Sequence, residues 1–223
     1  MGVCRNTGAV ARGCSIAAIV VLGLLRASDV SAGPAKDQLE AGINRVLGTL
    51  TSPAYKKAPP EERRIAIRAI VDAMWDWNEL AKRSLGRHWH ERTPAEQQDF
   101  ARLLAGLLER GILSKVDLYD GETVAYLGER IEGDQAVVQT KIIARDGDHT
   151  AIDYKLVLRD GRQWKVYDVD FGGMTLAGSY RTQFNRILRH ASYQDLILKL
   201  REKSRGTDAG VSREREGDAR ARP

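Results

Sequence analysis

His88-Trp89-His90 places two imidazoles two positions apart. On a strand such a pair could share a metal ion; on a helix the two rings point apart. His149 and His190 stand away from them, so surface or capping histidines are the simpler reading. Asp168 and Asp170 are also two apart and could act as paired carboxylates in acid–base work. A hydrogen-bonded edge is again simpler, with Asp168 held by Arg181 or by a helix end. Ser84, Ser179 and Ser192 lack the strand–turn–helix setting of a nucleophile elbow. Gly172-Gly173 is not followed by the Lys and Ser/Thr of a phosphate loop. No catalytic residue, metal site or cofactor is therefore expected.

The elements that would position these residues begin with a leader. Arg5 and Arg12 flank an apolar run from Ser15 to Leu25, and Val30-Ser31-Ala32 supplies small residues of the kind cut by a signal peptidase. The run is short for a membrane span, which takes about 20 apolar residues. Residues 1–32 are read as a signal peptide cleaved after Ala32, residues 33–204 as one domain, and residues 205–223 as a charged, disordered tail. Cys4 and Cys14 both fall in the leader, so the mature chain has no thiol chemistry. The chain carries +5 overall, but residues 33–204 hold 27 basic and 25 acidic residues without a block of one sign. That is a mixed solvated surface and not a nucleic-acid footprint.

Helices come first in the domain. Leu39, Ile43, Val46/Leu47 and Leu50 make one stripe over residues 36–50, and Thr51 to Ala58 reads as a loop. Pro59-Pro60-Glu61-Glu62 opens a second helix with Ile65, Ile70 and Met74 on its buried side. A short helix follows from Trp75 to Ser84, stopped at Gly86. Thr93-Pro94-Ala95-Glu96 is a capping box that opens the longest helix, ending near Val116.

Four strand-like runs follow, at about 122–132, 135–144, 149–159 and 163–171, with turn signals at Gly133-Asp134, Asp146-Gly147-Asp148 and Asp160-Gly161. Such short connections make neighbours antiparallel. Ile152, Tyr154, Leu156 and Leu158 alternate with wetter residues, so one face is covered. In the last run Trp164, Val166 and Asp168 point one way, and Lys165, Tyr167, Val169 and Phe171 the other. A helix over 174–190 returns with Leu176, Tyr180, Phe184 and Ile187/Leu188 on one face, and Ser192 to Asp195 caps a final helix. The fold class is α+β: N-terminal helices, a four-stranded antiparallel curved sheet covered on one face by helices, and C-terminal helices.

The stretch WKVYDVDFGGMTLAGSYRTQF from Trp164 to Phe184, and the block WDWNELAKRSLGRHWHERTPAEQQDF from Trp75 to Phe100, resemble the MlaC family of periplasmic phospholipid-binding, or toluene-tolerance, proteins. The order and spacing of the two blocks carry the resemblance. It implies a cone-like fold similar to nuclear-transport-factor-like and cystatin-like proteins. It implies no catalysis, and a periplasmic carrier moving phospholipid in either direction between an ATP-driven inner-membrane complex and an outer-membrane lipoprotein complex.

Periodicity alone leaves open a filled core or a lined pocket; the resemblance favours the pocket. The expected lining is Leu104, Leu108 and Ile112 from the long helix with Tyr154, Leu156 and Val166 from the strands. Two alternatives stay open: a small exported enzyme with Asp168, Tyr154 or His149 in the cavity, and a carrier for hopanoids or other polycyclic lipids.

Overall fold

Pro34 starts the first helix, where a missing N–H breaks no helical hydrogen bond. The computed structural model describes residues 33–116 and 118–204. The expected leader over 1–32, with Cys4 and Cys14, and the expected tail over 205–223 lie outside the described residues. Helix α1 (Pro34–Thr51) is followed by α2 (Pro53–Lys57), α3 (Pro60–Met74), α4 (Trp77–Leu85), a 3-10 turn (Gly86–Trp89) and α5 (Pro94–Val116). Strands β1 (Thr123–Glu132), β2 (Gln135–Ile143), β3 (His149–Arg159), β4 (Gln163–Phe171) and β5 (Met174–Thr175) come next. Helix α6 (Leu176–Leu188) and a helix over 193–204, here α7, complete the order.

The class is α+β, and the sheet is antiparallel throughout with its strands in chain order. It has five strands, not four. The chain turns back at Gly172 and Gly173, at φ 64° and 91°, so Met174 and Thr175 pair with Phe171 and Asp170. Thr175 then accepts a hydrogen bond from Gly178 N. This cap moves the helix start from the expected Met174 to Leu176.

Other local chemistry fixes the remaining ends. Thr93 and Glu96 exchange capping hydrogen bonds at the head of α5, and Ser192 and Asp195 do the same before α7. The expected loop at Thr51–Ala58 contains α2 instead: Ser52 accepts from Tyr55 N and Pro53 takes the first helical position. On α3 the buried residues are Ile67 and Val71, one helical turn apart, while Ile65 is 56% exposed.

Strand β4 departs from strict alternation. Leu156 pairs with Val166 but Lys155 pairs with Asp168, which leaves Tyr167 as the extra residue of a β-bulge. Past the bulge it is Val169, not Asp168, that joins Trp164 and Val166 on the apolar face. Three apolar clusters result. One lies among α4, α5, α6 and α7 around Leu80, Phe100, Leu104 and Phe184. A second lies between α1 and the sheet. The third joins α1, α3 and the end of α5 through Leu50, Ile67, Val71 and Leu113.

Candidate functional site

Helix α1 presents different residues to two neighbours. Ala35, Leu39 and Ile43, four apart, meet the sheet; Val46 and Leu50 meet α3 and α5. Beneath the first set lie Ala136, Val138, Ile152, Leu156, Trp164, Val166 and Val169. Their shared face follows from the register, which sets Ala136 opposite Leu156 and Leu156 opposite Val166. Leu156 and Val166 are each 1% exposed, at the centre of this face.

A cavity of about 180 Å³ opens between these layers. Leu39 and Ala41 of α1, Ala73 and Met74 of α3, and Leu156, Trp164 and Val166 of the sheet supply apolar wall, with Gln38 and Arg45 as its polar side chains. A second cavity, of about 280 Å³, lies among α5, α6 and α7. Its apolar wall includes Leu107, Tyr180, Phe184 and Leu196, and Lys199 and Glu202 also line it.

The helices are tied to the sheet beside the first cavity. Gln38 accepts from Trp164 N at 2.9 Å and donates to Arg162 O at 3.0 Å. Asp76 N donates to Val166 O at 2.8 Å, and Lys165 Nζ donates to Ala73 O. The Asp76 carboxylate accepts from Glu79 N, capping α4, and pairs with Arg159 Nε at 2.6 Å. That ion pair joins the end of β3 to the start of α4. These bonds leave the middle of α1 held over the sheet by apolar contact.

The polar groups on the sheet face are few and poor in acid–base terms. Thr140, fully buried, donates to Ile152 O at 2.8 Å. Burial pushes the Tyr154 phenol up to about 12. The Tyr126 phenol is raised too, by burial first and then by Glu40 and Tyr154, and its buried hydroxyl has no hydrogen-bond partner among the described residues. A phenol whose pKa is raised is a weaker acid and forms no phenolate base near neutrality.

Asp168, 4% exposed, accepts from Val169 N and Ala177 N. It caps α6 from β4, the helix-end role expected of it. Asp170 accepts from Gly173 N in the turn and lies 3.7 Å from Lys155. The two carboxylates thus serve separate backbone tasks. His88 sits 3.4 Å from Glu91, and His149 is exposed at the start of β3.

Of the six expected lining residues, the structure brings together Tyr154, Leu156 and Val166. Leu104 and Leu108 belong to the helical cluster of α4 to α7, and Ile112 to the cluster with α3. Here α1, and not α5, lies over the strands. The stripe at Leu39 and Ile43 was visible in the sequence, but a stripe does not say which layer it meets. Trp164 and Met74 were visible as apolar positions, without a sign that they share a cavity.

Fold and site together define an α+β protein whose apolar sheet face is closed over by a helix. The chain matches the MlaC protein family over residues 40–202 and belongs to that family. A solved structure from Ralstonia solanacearum, a phospholipid-binding protein in complex with a phospholipid, has the same fold. Its TM-score is 0.68 and its identity 24%, over 77% of this chain and 97% of that one. No curated protein matches the chain.

Proposed function

We propose that this protein is a periplasmic carrier that encloses phospholipid acyl chains between α1 and the sheet. The observation that carries the reading is the cavity under α1, walled by Leu39, Met74, Leu156, Trp164 and Val166. Membership of the MlaC family and the phospholipid in the similar Ralstonia protein support it. Each methylene moved from a bilayer into water costs about 0.8 kcal/mol. Two chains of about thirty methylenes would then cost roughly 20 kcal/mol or more to carry bare, so the tails need an apolar enclosure while the headgroup can stay wet.

The cavity of about 180 Å³ lies below the 300–1,000 Å³ of typical ligand pockets. Uptake therefore requires α1 to separate from the sheet, and transfer requires only that partners bias the open and closed states. The tails contact Tyr154, Leu156 and Val166 on the strand side. Leu104, Leu108 and Ile112 reach them only if the helical layer moves as well. The raised tyrosine phenols and the backbone duties of Asp168 and Asp170 favour binding over catalysis. In this reading residues 1–32 direct export and are removed, the sheet curves around the tails in the cone-like manner of the family, and lipid passes between an ATP-driven inner-membrane complex and an outer-membrane lipoprotein complex.

Native mass spectrometry of the protein purified from cells, followed by lipid extraction, tests the proposal. A bound mass equal to a two-chain phospholipid is expected. Apo protein alone, from lipid-rich cells, would overturn it.

A further inference from the structure

Glu129 of β1 reaches across to the start of α1. Its Oε2 accepts a hydrogen bond from Lys36 N at 2.6 Å, an N–H that an N-cap side chain ordinarily satisfies. Gly33, at the N-cap, has no side chain for the task. The second oxygen, Oε1, stands where a Cβ on residue 33 would be, so a larger residue there would displace the carboxylate. Backbone N and Cβ hang from one Cα about 2.5 Å apart, so Oε1 is also within ion-pair reach of Gly33 N.

No ion pair neutralises Glu129 among the described residues. Lys36 points its Nζ at Glu40, 3.3 Å away, and Asp37, 3.8 Å away, over the ring of Tyr126, and Arg130, beside Glu129 in sequence, pairs with Glu132 at 3.3 Å. Inside a longer chain, Gly33 offers the carboxylate only a peptide N–H. As a first residue it offers a full positive charge. The small residues Val30-Ser31-Ala32 stand immediately before it, as at a signal-peptidase site.

We propose that cleavage between Ala32 and Gly33 creates an α-ammonium that binds Glu129 and pins α1 onto β1. The proposal rests on the export reading above. An ammonium at a helix N-terminus is opposed by the helix dipole; the Glu129 carboxylate offsets that. Because α1 carries Leu39 over the cavity, the pin sets how firmly the site is closed. Processing then both frees the protein and completes its binding wall.

The test compares a chain beginning at Gly33 with one retaining Ser31-Ala32, each with and without Glu129→Gln. The Gln keeps an acceptor for Lys36 N and loses the charge. The nearby groups Lys36, Asp37, Glu40 and Tyr126 are the same in both chains, so the comparison isolates the amine. An amine whose pKa the carboxylate raises contributes stability fully below its ordinary value of about 7.7–8.0, and loses it as pH rises through the raised value. At pH 6.5 the Gly33 chain is expected to melt about 2–4 °C higher. The gap should close by pH 9.5 and be absent in the Gln pair. No gap at pH 6.5, or a gap that persists in the Gln pair, overturns the pin. The intact mass of the exported protein tests the processing separately: a first residue other than Gly33 overturns it, whereas the carrier reading stands or falls on copurified lipid.

Discussion

Gly42 of α1 lies directly against the thioether of Met74 on α3. A Cβ at position 42 would come within 2.6 Å of Met74 Sδ and 2.7 Å of Cε. Met74 in turn lines the cavity beneath α1. The missing side chain lets α1 and α3 pack closely side by side along one wall of that cavity.

Replacing Gly42 by Val should therefore lower stability by about 1–3 kcal/mol, the usual range for overpacking. Met74→Ala in the same chain should restore part of the loss by vacating the overlapped space. Urea denaturation of the single and double variants measures both. Equal midpoints for Gly42→Val and the parent would show that α1 is free to shift without cost.

Ala41 lies on α1 at the rim of the same cavity and is exposed. Ala41→Trp should fill the opening while leaving the core intact. Thermal stability should change by about 0.5 kcal/mol or less, as for surface substitutions, and lipid copurification should fall severalfold. Full lipid loading in a folded Ala41→Trp protein would place the entrance elsewhere.

Much of the fold was legible because it is written locally. The Thr93–Glu96 and Ser192–Asp195 caps and the four long strands depend on residues near one another in sequence. The site was less legible because it depends on non-local choices. Asp168 was assigned to the face of Trp164 and Val166 by a period of two. The bulge at Tyr167 hands that place to Val169 and turns Asp168 to Ala177 N. Alternation puts Leu156 on the covered face of its strand; only the family resemblance makes Leu156 and Val166 a tail-contacting wall, and in the structure both border the cavity under α1. Their partner across it was expected on α5, the longest helix, because length and a Leu stripe look like a lid. Yet α5 spends its stripe on Phe184 and Leu196, and α1 covers the sheet with Ala35, Leu39 and Ile43.

Glu109 of α5 offers a pH prediction. Its carboxyl is raised above the ordinary range by burial first and by the adjacent Asp72 carboxylate next, with Arg68, 3.0 Å away, pulling the other way. The folded state thus holds this proton more tightly than the unfolded chain. Its contribution is fully present below the unfolded value of about 4.3 and is lost as pH rises through the raised one. Glu109→Gln, neutral at every pH, should stabilise the protein at pH 7, with the gain shrinking toward pH 4. Denaturant midpoints at the two pH values measure it, and a destabilised variant at pH 7 would show that the Arg68 pair outweighs the burial.

The central claim is that acyl chains lie between α1 and the sheet. A phospholipid bearing a photoactivatable group near the end of one tail, loaded into the protein, irradiated and mapped by peptide mass spectrometry, tests this most directly. The account predicts adducts on Leu39, Met74, Leu156, Trp164 and Val166. Adducts confined to Leu107, Tyr180, Phe184 and Leu196, around the cavity among α5, α6 and α7, would contradict it.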